Sequence, residues 1–141
     1  MAQAPVPLIV LSGREDDVEL VNRSLRDGGH PVRCHWVTKV DALADAINHH
    51  SPELVCFFPD SLPAPIRDIA KIRQGAAASV PLVVVSNAAQ EADIAEALLA
   101  GAQDLVSLGQ TERLRSVAER ELRAFRLERA LNETLSSASQ Y

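Results

Sequence analysis

The sequence predicts an α/β fold in which a parallel sheet lies between two layers of helices. Three observations lead to this prediction. Short apolar runs without polar alternation, typical of strands buried on both faces, recur along the chain. Amphipathic segments of roughly 10 to 15 residues separate them, and glycine or proline stands at most of the junctions. Such alternation builds right-handed βαβ units in a three-layer, doubly wound sandwich.

Five apolar runs are predicted as strands. The clearest is the run 82–85, which is mostly β-branched and uninterrupted. The run 31–37 is more polar, through Arg33 and His35, and is therefore predicted to lie at an edge of the sheet. The remaining strands are predicted at 8–11, 54–58 and 105–106. Between them, apolar residues at helical spacing predict helices near 18–25, 40–47, 66–72 and 94–99.

The last helix is predicted to be much longer than the others. From position 111 to about 135 the chain has no glycine or proline and is rich in good helix formers. At 1.5 Å per residue this segment would be roughly 37 Å long, about twice what covering a small sheet requires. Its apolar stripe continues past the domain, so we predict self-association or docking there. The predicted dimer interface consists of Leu122, Phe125, Leu127, Leu131 and Leu135.

Composition and charge restrict the class of protein. The chain has 141 residues, 47% of them hydrophobic, which suffices for the core of one domain. A net charge of −5 offers no basic field for nucleic acid or anionic lipid. Two isolated cysteines suit a reducing compartment, and neither a signal peptide nor a membrane span is recognisable. We therefore expect a cytoplasmic protein that does not insert into membranes.

Three short segments resemble those of a known family. The segment 100–104 (Ala-Gly-Ala-Gln-Asp) precedes the fifth strand, 27–30 (Asp-Gly-Gly-His) leads into the second, and 52–55 (Pro-Glu-Leu-Val) opens the third. In this order and spacing they resemble the receiver domain of bacterial response regulators, over residues 7–126. The resemblance implies a flavodoxin-like sheet with strand order 2-1-3-4-5 and a receiver-like domain over 1–126.

The chain departs from that family at the residues that carry its chemistry. An active receiver holds Mg²⁺ with an acidic pair, accepts phosphate on an aspartate and contacts the phosphoryl group with a lysine. By the resemblance, the acidic pair falls on Ser12 and Gly13. The acceptor falls on Phe58 or Pro59, and the lysine position falls on Leu108. The resemblance therefore implies a degenerate pocket that neither binds a metal nor takes up phosphate.

Two polar residues remain near this pocket. Ser86 occupies the position of the family's Ser or Thr, and Asp60 is the one carboxylate close to the acceptor position. Ser86 is also interpreted as a cap of the following helix, because no Gly-x-Ser-x-Gly motif surrounds it. The acidic run 15–17 is interpreted as favourable charge at a helix N-terminus. We predict no enzymatic activity; the alternative is a two-component receiver that is phosphorylated at Asp60.

The C-terminal part sharpens the resemblance. The segment 117–123 (Val-Ala-Glu-Arg-Glu-Leu-Arg) resembles the last helix of receiver-like domains in FimX-type GGDEF/EAL cyclic-di-GMP signalling proteins. This implies a pseudo-receiver that dimerises or docks on a partner protein and relays to an output domain. Residues 127–141 are then the helix extension and a Ser-rich tail leading to that domain. A receiver-like coiled-coil dimer of an RNA-binding antiterminator is the third hypothesis.

No cofactor site is predicted. His49 and His50 are adjacent, so on a helix they point about 100° apart, and they are expected to cap its carbonyl end rather than hold a metal. The segment 12–14 follows the first strand, where doubly wound folds bind phosphates, but no GxGxxG or GKT/S motif is present. Trp36 on the edge strand is interpreted as a packed aromatic residue.

Overall fold

The computed structural model describes residues 4–138 of the chain. Within this part, five strands alternate with five α-helices, and a short 3₁₀ helix, Val40–Ala42, precedes the second α-helix. The elements are β1 Val6–Leu11, α1 Glu15–Asp27, β2 Val32–Val37, α2 Leu43–His50, β3 Val55–Phe57, α3 Ile66–Ala77, β4 Leu82–Ser86, α4 Glu91–Leu99, β5 Asp104–Ser107 and α5 Thr111–Ala138. The end of the predicted Ser-rich tail, from 139 on, lies outside the described residues.

The five strands form one parallel sheet in the order β2-β1-β3-β4-β5. This confirms the doubly wound architecture and the predicted order. Alternate residues of the strands point to opposite faces, and each face carries its own core. One core packs α1 and α5 against the sheet, and the other packs α2, α3 and α4 against it. Every residue of the central strands β3 and β4 is buried, as the unbroken apolar runs predict.

Helix α5 is fastened to the sheet by two sets of ion pairs. Arg113 and Arg120 reach Asp104 at 3.1 and 3.2 Å, and Arg126 Nε donates to Glu53 Oε1 at 2.7 Å. Both carboxylates lie at the amino ends of strands, since Asp104 is the first residue of β5 and Glu53 shortly precedes β3. The 28 residues of α5 span about 42 Å, so the helix runs on beyond Arg126. Its extension leaves the domain at the sheet edge opposite the carboxyl ends of the strands.

None of the helices between residues 4 and 138 is both long enough and apolar enough to span a bilayer.

Candidate functional site: the carboxyl edge of the sheet

The loops that follow β1, β3, β4 and β5 meet at one edge of the sheet, where doubly wound folds place their sites. All seven residues predicted for the pocket lie on these strand ends and loops. Register explains their proximity: Phe57 of β3 pairs with Leu11 of β1 on one side and Val84 of β4 on the other. The loop after β3 therefore stands between the β1 and β4 loops, and its polar residues can contact both.

On the β1 side, a buried carboxylate accepts hydrogen bonds from two serine hydroxyls. Asp17, in the first turn of α1, accepts hydrogen bonds through Oδ2 from Ser12 Oγ at 2.9 Å and Ser61 Oγ at 2.7 Å. Ser12 and Asp17 are both buried. A buried carboxylate is costly unless hydrogen bonds satisfy it, and here the two hydroxyls do so. Asp17 thus has a more specific role than the favourable helix N-terminal charge that the sequence indicates.

Gly13 leaves no room for the second acidic residue of the family pattern. Its backbone N–H donates to Ser61 Oγ at 3.0 Å. A Cβ atom at Gly13 would collide with the backbone oxygen of Ser61. The loop after β3 therefore closes directly over this position, and no carboxylate could stand there without moving that loop.

On the β4 side, one carboxylate joins two loops. Asp60 accepts from Ser86 Oγ at 2.8 Å through Oδ1 and from the backbone N–H of Asn87 at 2.6 Å through Oδ2. The Ser86 oxygen also accepts from the N–H of Ala88 at 3.0 Å. We call this set of bonds the Asp60 clamp, since it fastens the loop after β3 to the loop after β4.

The interpretation of Ser86 as a helix cap is wrong. Helix α4 begins at Glu91, and Gln90 is its N-cap residue, in a capping box with Asp93. The backbone N–H of Gln90 donates to Asp93 Oδ2 at 3.0 Å. Ser86 lies too far before the helix to cap it because the chain continues through a loop after β4.

The positions that the resemblance predicts for the acceptor and the lysine are apolar. Phe58 lies one residue past β3, its N–H donates to Leu11 O at 3.0 Å, and its side chain is 1% exposed in the core beneath α1 and α5. Pro59 is half-buried. Leu108 is half-buried against the same core, and its N–H donates to the carbonyl of Ser86 at 3.1 Å. No cationic side chain comes from any of these three positions.

Trp36 connects the edge strand to this site, which the sequence did not predict. Its indole Nε1–H donates to the backbone oxygen of Ser12 at 2.9 Å, although the ring itself is partly exposed. An edge-strand aromatic residue with a polar handle is consistent with such a contact, but the pattern alone could not say which carbonyl it reaches.

Fewer residues of the predicted interface on α5 are exposed than the sequence indicated. Leu122 is 5% exposed and packs in the core beneath α1 and α5, and Phe125 is half-buried at the opposite core. By contrast, Leu127, Leu131 and Leu135 are 71%, 57% and 59% exposed. Leu122 belongs to the domain's own core because α5 still lies on the sheet at that turn. The exposed leucine stripe therefore consists of Leu127, Leu131 and Leu135.

Three histidines lie together where the end of α2 packs on β2. The rings of His35 on β2 and His50 on α2 are stacked, 3.6 Å apart at 12°, and His49 meets His50 edge-on. Burial, together with the neighbouring His50, Arg33 and His49, lowers the pKa of His35. The C-cap of α2 is Ser51, so His50 packs on the edge strand rather than serving as the expected cap.

The architecture is similar to that of proteins whose structures have been solved. No family model matches the sequence, and no curated protein matches it. Solved structures do: NtrX from Brucella abortus in complex with ADP is 24% identical, with a TM-score of 0.74 over 93% of this chain and 29% of that one. The signal receiver domain of a Luxo repressor protein from Vibrio parahaemolyticus is 12% identical, with a TM-score of 0.76 over 91% and 98%.

A CheY-like response regulator receiver domain from Methanospirillum hungatei JF-1 is 13% identical, with a TM-score of 0.70 over 89% of this chain and 99% of that one. The protein is thus a five-stranded doubly wound domain with a polar carboxyl edge. Its fold is that of the receiver domains of response regulators. The chain spans less than a third of the NtrX chain that it matches.

Proposed function

We propose that this domain is a regulatory module with the receiver fold that does not take up phosphate. The observation that carries the proposal is the chemistry of its carboxyl edge. Phe58 fills the acceptor position with a buried ring, Leu108 stands in the lysine position, and Asp17 is occupied by two serine hydroxyls. These positions therefore offer no free carboxylate pair to bind a metal ion and no cation to bind the oxygens of a phosphoryl group.

In this proposal, the Asp60 clamp holds the module in a single conformation. The clamp joins the loops after β3 and β4 without any added group, because Asp60 accepts from both the Ser86 hydroxyl and the Asn87 N–H. Both bonds are charge-assisted, and solvent screening weakens them because Asp60 is exposed. In a receiver that accepts phosphate, the Ser or Thr hydroxyl contacts the phosphoryl group. Here the Ser86 hydroxyl contacts the Asp60 carboxylate instead.

The output of the module is its C-terminal helix. We propose that the exposed leucine stripe mediates homodimerisation or docking, and that residues 127–141 lead to an output domain of the cyclic-di-GMP type. Three leucines on one face of a helix that has left its domain have nothing in residues 4–138 to cover them. Leucine burial contributes roughly 1.5–3 kcal/mol per side chain, before the entropy of association is subtracted.

A second candidate function follows from the same clamp. Asp60 is exposed and lies 2.8 Å from Ser86, so a carboxylate and the hydroxyl expected of an active receiver do meet. Phosphorylation at Asp60 is therefore the alternative to test against.

Treatment with Mg²⁺ and acetyl phosphate, and separately with beryllofluoride, distinguishes the two candidates. We expect no adduct by intact mass and no amide shifts around Asp60 and Ser86, while an active receiver in the same assay responds. A stoichiometric aspartyl adduct that disappears in Asp60→Asn would establish the alternative. For the output domain, the codons after Tyr141 should encode a GGDEF or EAL domain; a helical RNA-binding domain there would support the antiterminator hypothesis instead.

A further inference from the structure

An apolar groove between α3 and α4 has no occupant within the described chain. Its volume is 710 Å³, and its apolar lining comes from Pro65 and Ile66 at the start of α3 and from Ala92, Ala95 and Leu99 along α4. Leu99 is 91% exposed, more than any residue of the leucine stripe. A leucine this exposed gives a favourable free energy of burial when a second surface covers it.

The shape of this groove fits a helix. Ala92, Ala95 and Leu99 follow one another at i, i+3 and i+7, so they lie on one face of α4. The two alanines are small and allow another helix to approach closely, while Leu99 forms a ridge at the end. The wall from Ala92 to Ala100 is about 12 Å long.

The leucine stripe has the matching length. From Leu127 to Leu135 the helix also rises about 12 Å. Two stripes packed only on each other would make a small interface. Three leucines hide roughly 300 Å² per chain, whereas a stable interface buries roughly 800 Å² per partner. The groove adds apolar area on each chain, so an interface that includes it is larger than one formed by the stripes alone.

We propose that the α3–α4 groove of one copy receives the leucine stripe of a second copy, and that the exchange is reciprocal. The inference rests on the proposed self-association through the stripe and names the surface that the stripe contacts. A reciprocal exchange closes as a twofold dimer and buries both apolar surfaces on both chains. A one-way contact would leave one stripe and one groove open and could continue into a chain of molecules.

Charged residues of both signs border the two surfaces. The groove is bordered by Arg67 and Asp68 on α3 and by Glu96 on α4, and none of these forms an ion pair within residues 4–138. On α5, Arg123 and Glu128 flank the stripe on opposite sides of the helix. They too are without ion pairs in the described part of the chain. A helix carrying one charge of each sign thus meets a groove bordered by both signs.

Sedimentation equilibrium of the intact chain, from about 5 to 100 µM, tests the inference with three variants. We expect a dimer for the native chain, and a monomer for the double variant Leu127→Glu, Leu131→Glu. Leu99→Glu should weaken the dimer at least tenfold. Leu98→Glu is the matched control, because Leu98 is 47% exposed on the same helix but does not line the groove. It should change the dissociation constant less than threefold.

The outcomes separate the two proposals. A native chain that stays monomeric at 100 µM would remove self-association, and the groove proposal with it. A dimer that is lost in the double variant but unchanged in Leu99→Glu would retain self-association and overturn the groove, because the stripes would then contact each other. Far-UV circular dichroism and urea midpoints establish that each variant is folded, as expected for substitutions at exposed leucines.

A mixing experiment gives an independent readout. The double variant keeps an intact groove, and Leu99→Glu keeps an intact stripe. If the stripe enters the groove, the mixture restores one of the two contacts, and a heterodimer appears at concentrations at which each variant alone is monomeric. If the mixture contains no more dimer than the two variants form separately at 100 µM, groove docking is refuted. Size-exclusion chromatography with one partner fluorescently labelled detects the outcome.

Discussion

Replacement of Phe58 by aspartate tests whether the position predicted for the acceptor is part of the core. Phe58 is 1% exposed and belongs to the cluster beneath α1 and α5. Truncating a buried phenylalanine costs about 3–5 kcal/mol, and a carboxylate left without partners in the cavity adds to the loss. We expect Phe58→Asp to lower the free energy of unfolding by about 4 kcal/mol, a large share of the roughly 5–15 kcal/mol that holds a domain together.

Urea unfolding followed by circular dichroism measures this effect. With a slope near 2 kcal/mol per M, the midpoint should fall by about 2 M. Phe58→Leu is the matched control, since it keeps the site apolar and should cost less than about 1.5 kcal/mol. The deficit of the aspartate variant should shrink towards pH 4, because burial raises the pKa of a carboxyl group and the folded state then holds the proton more tightly than the unfolded state.

Coinciding midpoints for native protein and Phe58→Asp would refute the reasoning. They would mean that the ring at this position points to solvent and that the site still accommodates a carboxylate. The domain would then need only a metal pair and a lysine to regain receiver chemistry, and Phe58 would no longer oppose phosphorylation.

Three further predictions follow from single contacts. Asp104→Ala removes the acceptor of two guanidinium groups that fasten α5, and should cost about 1–3 kcal/mol in urea unfolding; Asp16→Ala, which breaks an exposed ion pair, should leave the midpoint unchanged. Trp36→Phe loses the hydrogen bond to the Ser12 carbonyl and should cost about 1 kcal/mol, with Trp36→Tyr no better if the indole N–H is what matters. Burial and the neighbouring His50, Arg33 and His49 lower the pKa of His35, so the unfolded state binds its proton more readily than the folded state does. The free energy of unfolding should therefore be highest above pH 6.5 and should decline as the pH falls below it. His35→Gln should flatten that decline.

Much of the architecture was predictable from local pattern. The run 82–85 became β4 because unbroken β-branched residues suit a strand buried on both faces. The absence of glycine and proline after Thr111 correctly indicated a helix longer than the domain. The prediction that Ser86 caps the next helix was wrong, because a serine before a helix has several possible partners. The length of the loop between Ser86 and the true N-cap, Gln90, depends on the tertiary structure. Leu122 was misplaced because periodicity shows which face is apolar but not where a helix leaves its sheet.

By itself the sequence determined that the chain would build a doubly wound sheet, that apolar residues would stand at positions 58 and 108, and that leucines would continue past the domain. These properties depend on residue types and spacings that are read locally. Only the tertiary structure decided that Ser61 closes over Gly13, that Ser12 and Ser61 share Asp17, and that Asp60 joins Ser86. Most of these partners stand 26 to 48 residues apart, and they meet because the parallel register of β1, β3 and β4 aligns the strand ends at one edge.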